Sequence, residues 1–226
     1  MAEEPKQKAQ QIYERLRRAI LRLEMAPGAA VAEKELCAAY GVSRTPLREA
    51  VQRLAEEGLI LVVPHSGTYV SRISVKGAEE GFVIRRALEV ECVRRAAGRV
   101  DEHGAAELDA AIRRMREILE RQALATYIEA DDAFHAALAR MSGMSRAWKF
   151  IALAKVDLDR MRQLSAPVPG HLGRVTEQHL QIAEAVKRGK PDQAELAMRI
   201  HLDSAFEVMT GLIGQDAEAF LEDAPA

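Results

Sequence analysis

Two short helical patterns separated by a glycine turn, followed at once by two β-branched runs, constrain this chain more than any other feature. Apolar residues Ile12, Leu16, Ala19, Ile20 and Leu23 recur at helical spacing and predict a helix over about residues 6–23. Pro27-Gly28 breaks it. A shorter helix is expected over residues 32–40, with Gly41 placed where a left-handed cap strains glycine least. Ser43 is a good N-cap for a third helix over residues 44–57, and Pro46 is tolerated in its first turn. Gly58 ends that helix. Leu59 to Val63 and Thr68 to Ser71, around Pro64-His65-Ser66-Gly67, then read as a hairpin. Helix, helix, turn, helix and hairpin in this order make a winged helix-turn-helix.

The third helix carries the argument for DNA. Leu47, Ala50, Val51 and Leu54 form its buried stripe, which leaves Arg44, Thr45, Arg48 and Gln52 on the other side. Two guanidiniums and a hydroxyl near a helix N-terminus suit base edges and phosphates. A helix in isolation would equally make this a solvated charged face; the preceding turn and following wing favour the recognition helix. Charge is distributed accordingly. Residues 6–75 hold 11 Lys+Arg against 7 Asp+Glu, and residues 76–226 hold 21 against 25. A basic front and an acidic back fit a nucleic-acid-binding head on a regulatory or oligomerising body.

From about Val75 onward the chain reads as helix, in segments 77–98, 102–121, 124–141, 145–164, 171–188 and 191–213. Polar residues interrupt three of the apolar stripes. One runs Ile128, Asp131, His135, Leu138. The next runs Leu172, Val175, His179, Ile182, Val186. The last runs Ala194, Ala197, His201, Ala205, Val208, Leu212. Each helix aims a candidate ligand inward, and Asp131 and His135 share a face. Three imidazoles and a carboxylate suit a divalent ion: zinc first, with nickel, manganese or iron as alternatives. The competing reading is a polar core in which the histidines are hydrogen-bonded. His103 and His171 fall at helix ends and are expected on the surface.

Composition bounds the rest. A chain of 226 residues has room for two modest domains. Its two cysteines, Cys37 and Cys92, are far apart and read as reduced thiols. No run of about 18 apolar residues occurs, and the polar N-terminus has no secretory h-region. A cytoplasmic protein that does not enter the membrane is expected.

The string "VAEKELCAAYGVSRTPLREAVQRLAEEGLI" followed by "PHSGTYVS" resembles the DNA-binding domain of the GntR family of bacterial transcriptional regulators, over about residues 10–72. The resemblance implies that Lys34, Ser43 and Thr45 meet phosphates. It implies that Arg44 and Arg48 read bases in the major groove, and that His65 and Gly67 in the wing approach the minor groove or its edge. The strings "RRALEVECVRRAA", "DDAFHAAL", "EQHLQIAEAVKRGK" and "AMRIHL" resemble the FCD effector domain of FadR-type members, over roughly residues 78–210. In metal-binding members an Asp-x-x-x-His pair and two later histidines are the ligands, which fall on Asp131, His135, His179 and His201. Arg85, in the R-x-x-L-E string, corresponds to an arginine that often meets the carboxylate of a bound acid; an ion pair with Glu89 is its alternative. Arg160 and Arg162 are weaker pocket candidates. "SGMS" at residues 142–145 departs from the usual Ser-Gly-Asn.

The expectation is a mostly α protein with two domains. Residues 1–75 form a winged helix-turn-helix DNA-binding domain with a small β-hairpin wing. Residues 76–226 form an all-helical bundle that binds effector and dimerises. The function expected is a transcriptional regulator, a repressor, acting as a homodimer on a palindromic double-stranded operator under control of a small carboxylic acid at the metal. Two alternatives stand beside it: a metal-dependent hydrolase using the same four ligands, and a DNA-binding dimer without effector.

Overall fold

A computed structural model of the chain describes residues 5–211 and divides into two compact units, one reaching Val75 and the other starting at Lys76. The first contains α1 (Pro5–Leu21), α2 (Glu33–Tyr40), α3 (Arg44–Glu56), β1 (Ile60–Val63) and β2 (Gly67–Val70). Ile12, Leu16 and Ile20 of α1 bury against Leu47, Ala50, Val51 and Leu54 of α3. The rim of this contact is polar. Arg17 Nε lies 2.8 Å from Glu57 Oε2, Tyr13 donates to the same carboxylate, and the Arg53 guanidinium stacks 3.8 Å from the Tyr13 ring centre.

Gly41 takes the left-handed region (φ 62°, ψ 38°) and closes α2 by donating to Ala38 O, while Val42 donates to Cys37 O. That paired closure turns the chain sharply into α3. Ser43 is the N-cap of α3 in extended conformation, but its hydroxyl makes no cap hydrogen bond, contrary to the expected capping role. The strands pair antiparallel with Ile60 opposite Val70 and Val63 opposite Gly67. One edge of β2 is occupied. Gly28 N donates to Val70 O, Val70 N to Ala29 O and Val31 N to Thr68 O, each at 2.8 Å, so the loop before α2 pins the wing.

The second unit contains α4 (Val75–Ala97), α5 (Glu102–Glu120), a 3-10 turn (Leu124–Thr126), α6 (Tyr127–Met141), α7 (Ser145–Ala154), α8 (Val156–Ser165), α9 (His171–Lys187) and α10 (Pro191–Thr210). Its core joins Val93, Leu108, Met115, Phe134, Ile182 and Leu202 from five helices. α9 and α10 pack as a hairpin across Gly189 (φ 62°).

Three expectations need correction. The segment 145–164 is two helices, broken at Lys155 (φ −92°, ψ 15°). The Lys155 ammonium is buried between Asp132, at 2.7 Å, and Asp159, so the break serves an internal charge pairing that apolar periodicity does not register. On α10 the buried positions are Ala194, Met198, His201, Leu202 and Met209, while Leu196 and Ile200 face outward; Leu212 lies outside the described residues. His171 is buried, not on the surface. It opens α9 directly after Gly170, whose positive φ of 73° turns the chain back onto the bundle. Among the described residues, no helix is long and apolar enough to cross a membrane.

Candidate functional site

On the first unit, the side of α3 opposite its apolar stripe is open. Arg44, Thr45, Arg48 and Gln52 are exposed, as are Lys34, Ser43, His65 and Gly67. Arg48 is tethered only loosely, its Nε 3.5 Å from Glu33 Oε2. His65, at the wing tip, holds φ at 61°, a region a non-glycine residue rarely adopts. At Gly67 (φ 145°) an added Cβ would lie 3.3 Å from the Tyr69 hydroxyl, so conformation and space both favour glycine there.

The second unit gathers Asp131 and His135 of α6, His179 of α9 and His201 of α10. All four are buried, and one ligand atom from each lies within 4.8 Å of the others. Ligand atoms around a tetrahedral ion with bonds of about 2.1 Å lie about 3.4 Å apart, so the wider pairs of this set would close by up to about 1.4 Å to hold one. His135 Nε2 lies 3.1 Å from His179 Nε2, and His179 Nε2 lies 3.4 Å from Asp131 Oδ1. Asp131 Oδ1 and His179 Nδ1 are buried with no hydrogen-bond partner. A buried carboxylate oxygen left open beside three imidazoles is costly in a purely structural core, and an ion bound there would meet its need.

Electrostatics keeps the ligand forms ready. Burial drives His179 down to about 3, against the partial pull of Asp131, and burial followed by His179 and His135 takes His201 well below the usual histidine range. Both are therefore neutral at pH 7. Burial alone would raise the Asp131 carboxyl, but Arg162 first, then His135, His179 and Arg85, hold it well below the usual carboxylate range.

Beside the cluster is a cavity of about 20 Å³ whose walls include Arg85, Asp131, Arg162, His171, His201 and Met209. That is room for one water-sized group. Arg85 makes the ion pair with Glu89, one of the two readings the sequence offered. Its Nε donates to Glu89 Oε1 at 2.7 Å, while Nη2 is buried without a hydrogen-bond partner, 3.7 Å from Asp131 Oδ2. Arg162 grips Asp131 directly and is a stronger pocket residue than the sequence suggested. Arg160 pairs instead with Asp157 at 3.4 Å and does not line the cavity. Sequence reasoning passed over Gln178, which contacts His201. It treated Glu89 only as a partner for Arg85, yet Glu89 Oε2 also lies 2.5 Å from His135 Nδ1.

A winged helix-turn-helix joined to an all-helical domain with a buried polar cluster defines a class of protein, the DNA-binding transcriptional regulators. The chain belongs to the GntR family of bacterial regulatory proteins: that family's model matches residues 8–70, and the FCD domain model matches residues 80–204. It is therefore a transcriptional regulator and not the hydrolase considered above. It is 36% identical over 214 residues to the HTH-type transcriptional repressor RspR of Escherichia coli K12, covering 95% of this chain and 94% of the relative. It is 32% identical to a probable D-xylose utilization operon transcriptional repressor of Paenarthrobacter nicotinovorans, covering 77% of this chain and 76% of that one. In fold it is similar to E. coli McbR/YncC, with a TM-score of 0.81 at 20% identity over 94% of this chain and 100% of that one. It is similar also to a putative GntR regulator from Rhodococcus sp. RHA1, with a TM-score of 0.77 at 24% identity over 91% and 98%.

Proposed function

We propose that this regulator is a cytoplasmic repressor, a homodimer on a palindromic operator, whose DNA affinity is set by a small carboxylic acid bound beside a divalent ion. The observation that carries the reading is the buried Asp131, His135, His179 and His201 set, opening onto a cavity with two guanidiniums. Three nitrogens and one oxygen favour zinc, the ion most at home in four-coordinate sites of this kind. When bound, the ion supplies a Lewis-acid anchor for a carboxylate oxygen. Arg85 Nη2, already desolvated and with no hydrogen bond of its own, can take the other oxygen. The cavity is water-sized, so an acid enters only by displacing a wall, and this is how it can favour one arrangement of the protein over another.

In the head, Lys34, Ser43 and Thr45 hold phosphates, Arg44 and Arg48 read base edges in the major groove, and His65 and Gly67 bring the wing to the minor groove. A single recognition helix reads few bases, so two copies are needed for specificity. The second unit leaves Val83 and Ile84 on α4, Phe150 and Leu153 on α7, and Leu196 and Ile200 on α10 exposed, apolar side chains of the kind a pairing would bury. Thermal unfolding of chelated protein, zinc-loaded protein, and zinc-loaded protein with a panel of carboxylic acids tests the reading. A ligand at 100 times its Kd adds about 2.7 kcal/mol. Zinc is expected to raise the midpoint and one acid to raise it again. No response to zinc by folded protein overturns the metal and leaves a DNA-binding dimer with a polar core.

A further inference from the structure

The three histidines of the cluster differ in what stands behind them. His135 turns Nε2 toward His179, and its Nδ1 faces Glu89 Oε2 at 2.5 Å, so that a small rotation of the ring lets an Nδ1 proton point at the carboxylate. Glu89 is fixed in turn by Arg85 and is buried. His201 has its Nδ1 3.3 Å from Gln178 Oε1. The Gln178 amide cannot turn freely, because its Nε2 donates to Ser204 Oγ at 2.8 Å, and that hydroxyl donates to His201 O at 3.2 Å. The amide oxygen is thereby aimed at the ring. His179 has nothing comparable: its Nδ1 is buried with no hydrogen-bond partner.

The two nitrogens of an imidazole are linked. An acceptor at Nδ1 keeps the proton there, leaves the Nε2 lone pair for an ion, and increases its donor strength. We propose that Glu89 and Gln178 are positioning residues of the metal centre, fixing His135 and His201 to bind through Nε2, and that His179 is the least supported ligand. Glu89 acts more strongly because its acceptor is anionic. The proposal rests on the metal reading above. Its rival is that Gln178 merely clasps α9 to α10 through Ser204.

The test is a Co²⁺ titration of the chelated full-length protein, followed by the visible absorption of the bound ion, which reports the ligand set. Gln178→Leu is expected to weaken Co²⁺ binding about 10–100-fold and to change the spectrum. Gln178→Glu restores an acceptor and is expected to bind at least as tightly as wild type. Glu89→Gln keeps an acceptor and loses its charge, and is expected to bind Co²⁺ more weakly than wild type but more tightly than Gln178→Leu. Equal affinity and an identical spectrum in every variant overturn the proposal. So does a Gln178→Glu variant that binds no better than Gln178→Leu, the pattern of a clasp. A wild type that binds no Co²⁺ removes the metal reading itself, and a wild type that binds while the variants are indifferent removes only this assignment. Should Glu89→Gln fail to fold, the Gln178 pair decides alone.

Discussion

The head and the body of this regulator place their polar residues in opposite ways. On α3 the side chains proposed to act are those left outside the apolar stripe: Arg44, Thr45 and Arg48 all face solvent. In the bundle they are those pulled inside, where Asp131, His135, His179 and His201 interrupt stripes that would otherwise be apolar. Exposed arginines cost the fold little and are free to meet phosphate and base. Buried imidazoles and carboxylates must be paired, bound or neutral, so the bundle carries a permanent electrostatic debt. Changes in the head should therefore alter binding and spare stability, whereas changes in the body should do both.

The largest expected effect breaks the internal pairing. Arg162→Ala leaves Asp131 and Asp159 without the guanidinium they share and should cost about 3–5 kcal/mol in metal-free protein by denaturant unfolding. Zinc should recover part of that loss, since it supplies positive charge at Asp131. Next is Arg48→Ala, expected to cost about 1–3 kcal/mol of operator affinity for each half-site and to relax specificity there. Its unfolding free energy should stay within about 0.5 kcal/mol of wild type, because the side chain is exposed. If Arg48→Ala unfolds easily, or Arg162→Ala does not, the contrast between the two regions is wrong.

A pH series sharpens it further. His179, near 3 in the folded state, and His201, also held low, titrate near 6.5 once unfolded. The unfolded chain thus binds more protons as pH falls below about 6.5. Stability present above that pH should drain away toward 3, by up to about 1.4 kcal/mol per pH unit for each histidine. Glu89, held near 2 by Arg85 and His135 against its burial, adds its own loss only below the ordinary glutamate range. Above the ordinary carboxylate range the slope of metal-free protein reports His179 and His201 with His171, also lowered by burial, against an opposing uptake by Asp132, whose carboxyl burial raises; His179→Ala should flatten it. The smallest effect is expected of Lys34→Ala, a uniform weakening across DNA sequences with a salt slope reduced by about 1.

The same contrast decides what could be read from the sequence. The head follows local rules. Gly41, the spacing of Leu47, Ala50, Val51 and Leu54, and the wing glycine each act within a few residues, so their elements were legible. The pinning of β2 by residues 28–31 was not, because backbone pairing leaves little mark on side-chain pattern. In the body, Asp131, His135, His179 and His201 were visible as interruptions of apolar stripes. Their neighbours Glu89 and Gln178 were not: Glu89 already had a helical partner in Arg85, and Gln178 is a half-buried amide that any helix tolerates. Lys155 was missed for the reason that exposes the limit of periodicity, since a charged residue is counted outside until its partners are known.

In a regulator of this build the buried cluster governs the exposed helix only if a ligand at the one changes DNA affinity at the other. Fluorescence anisotropy with an operator obtained by binding-site selection tests it, using zinc-loaded wild type and His179→Ala with and without the acid that shifts wild-type unfolding. The acid is expected to change operator Kd at least about fivefold in wild type and not in His179→Ala. An operator Kd that stays the same in zinc-loaded wild type, with the acid demonstrably bound, would contradict it.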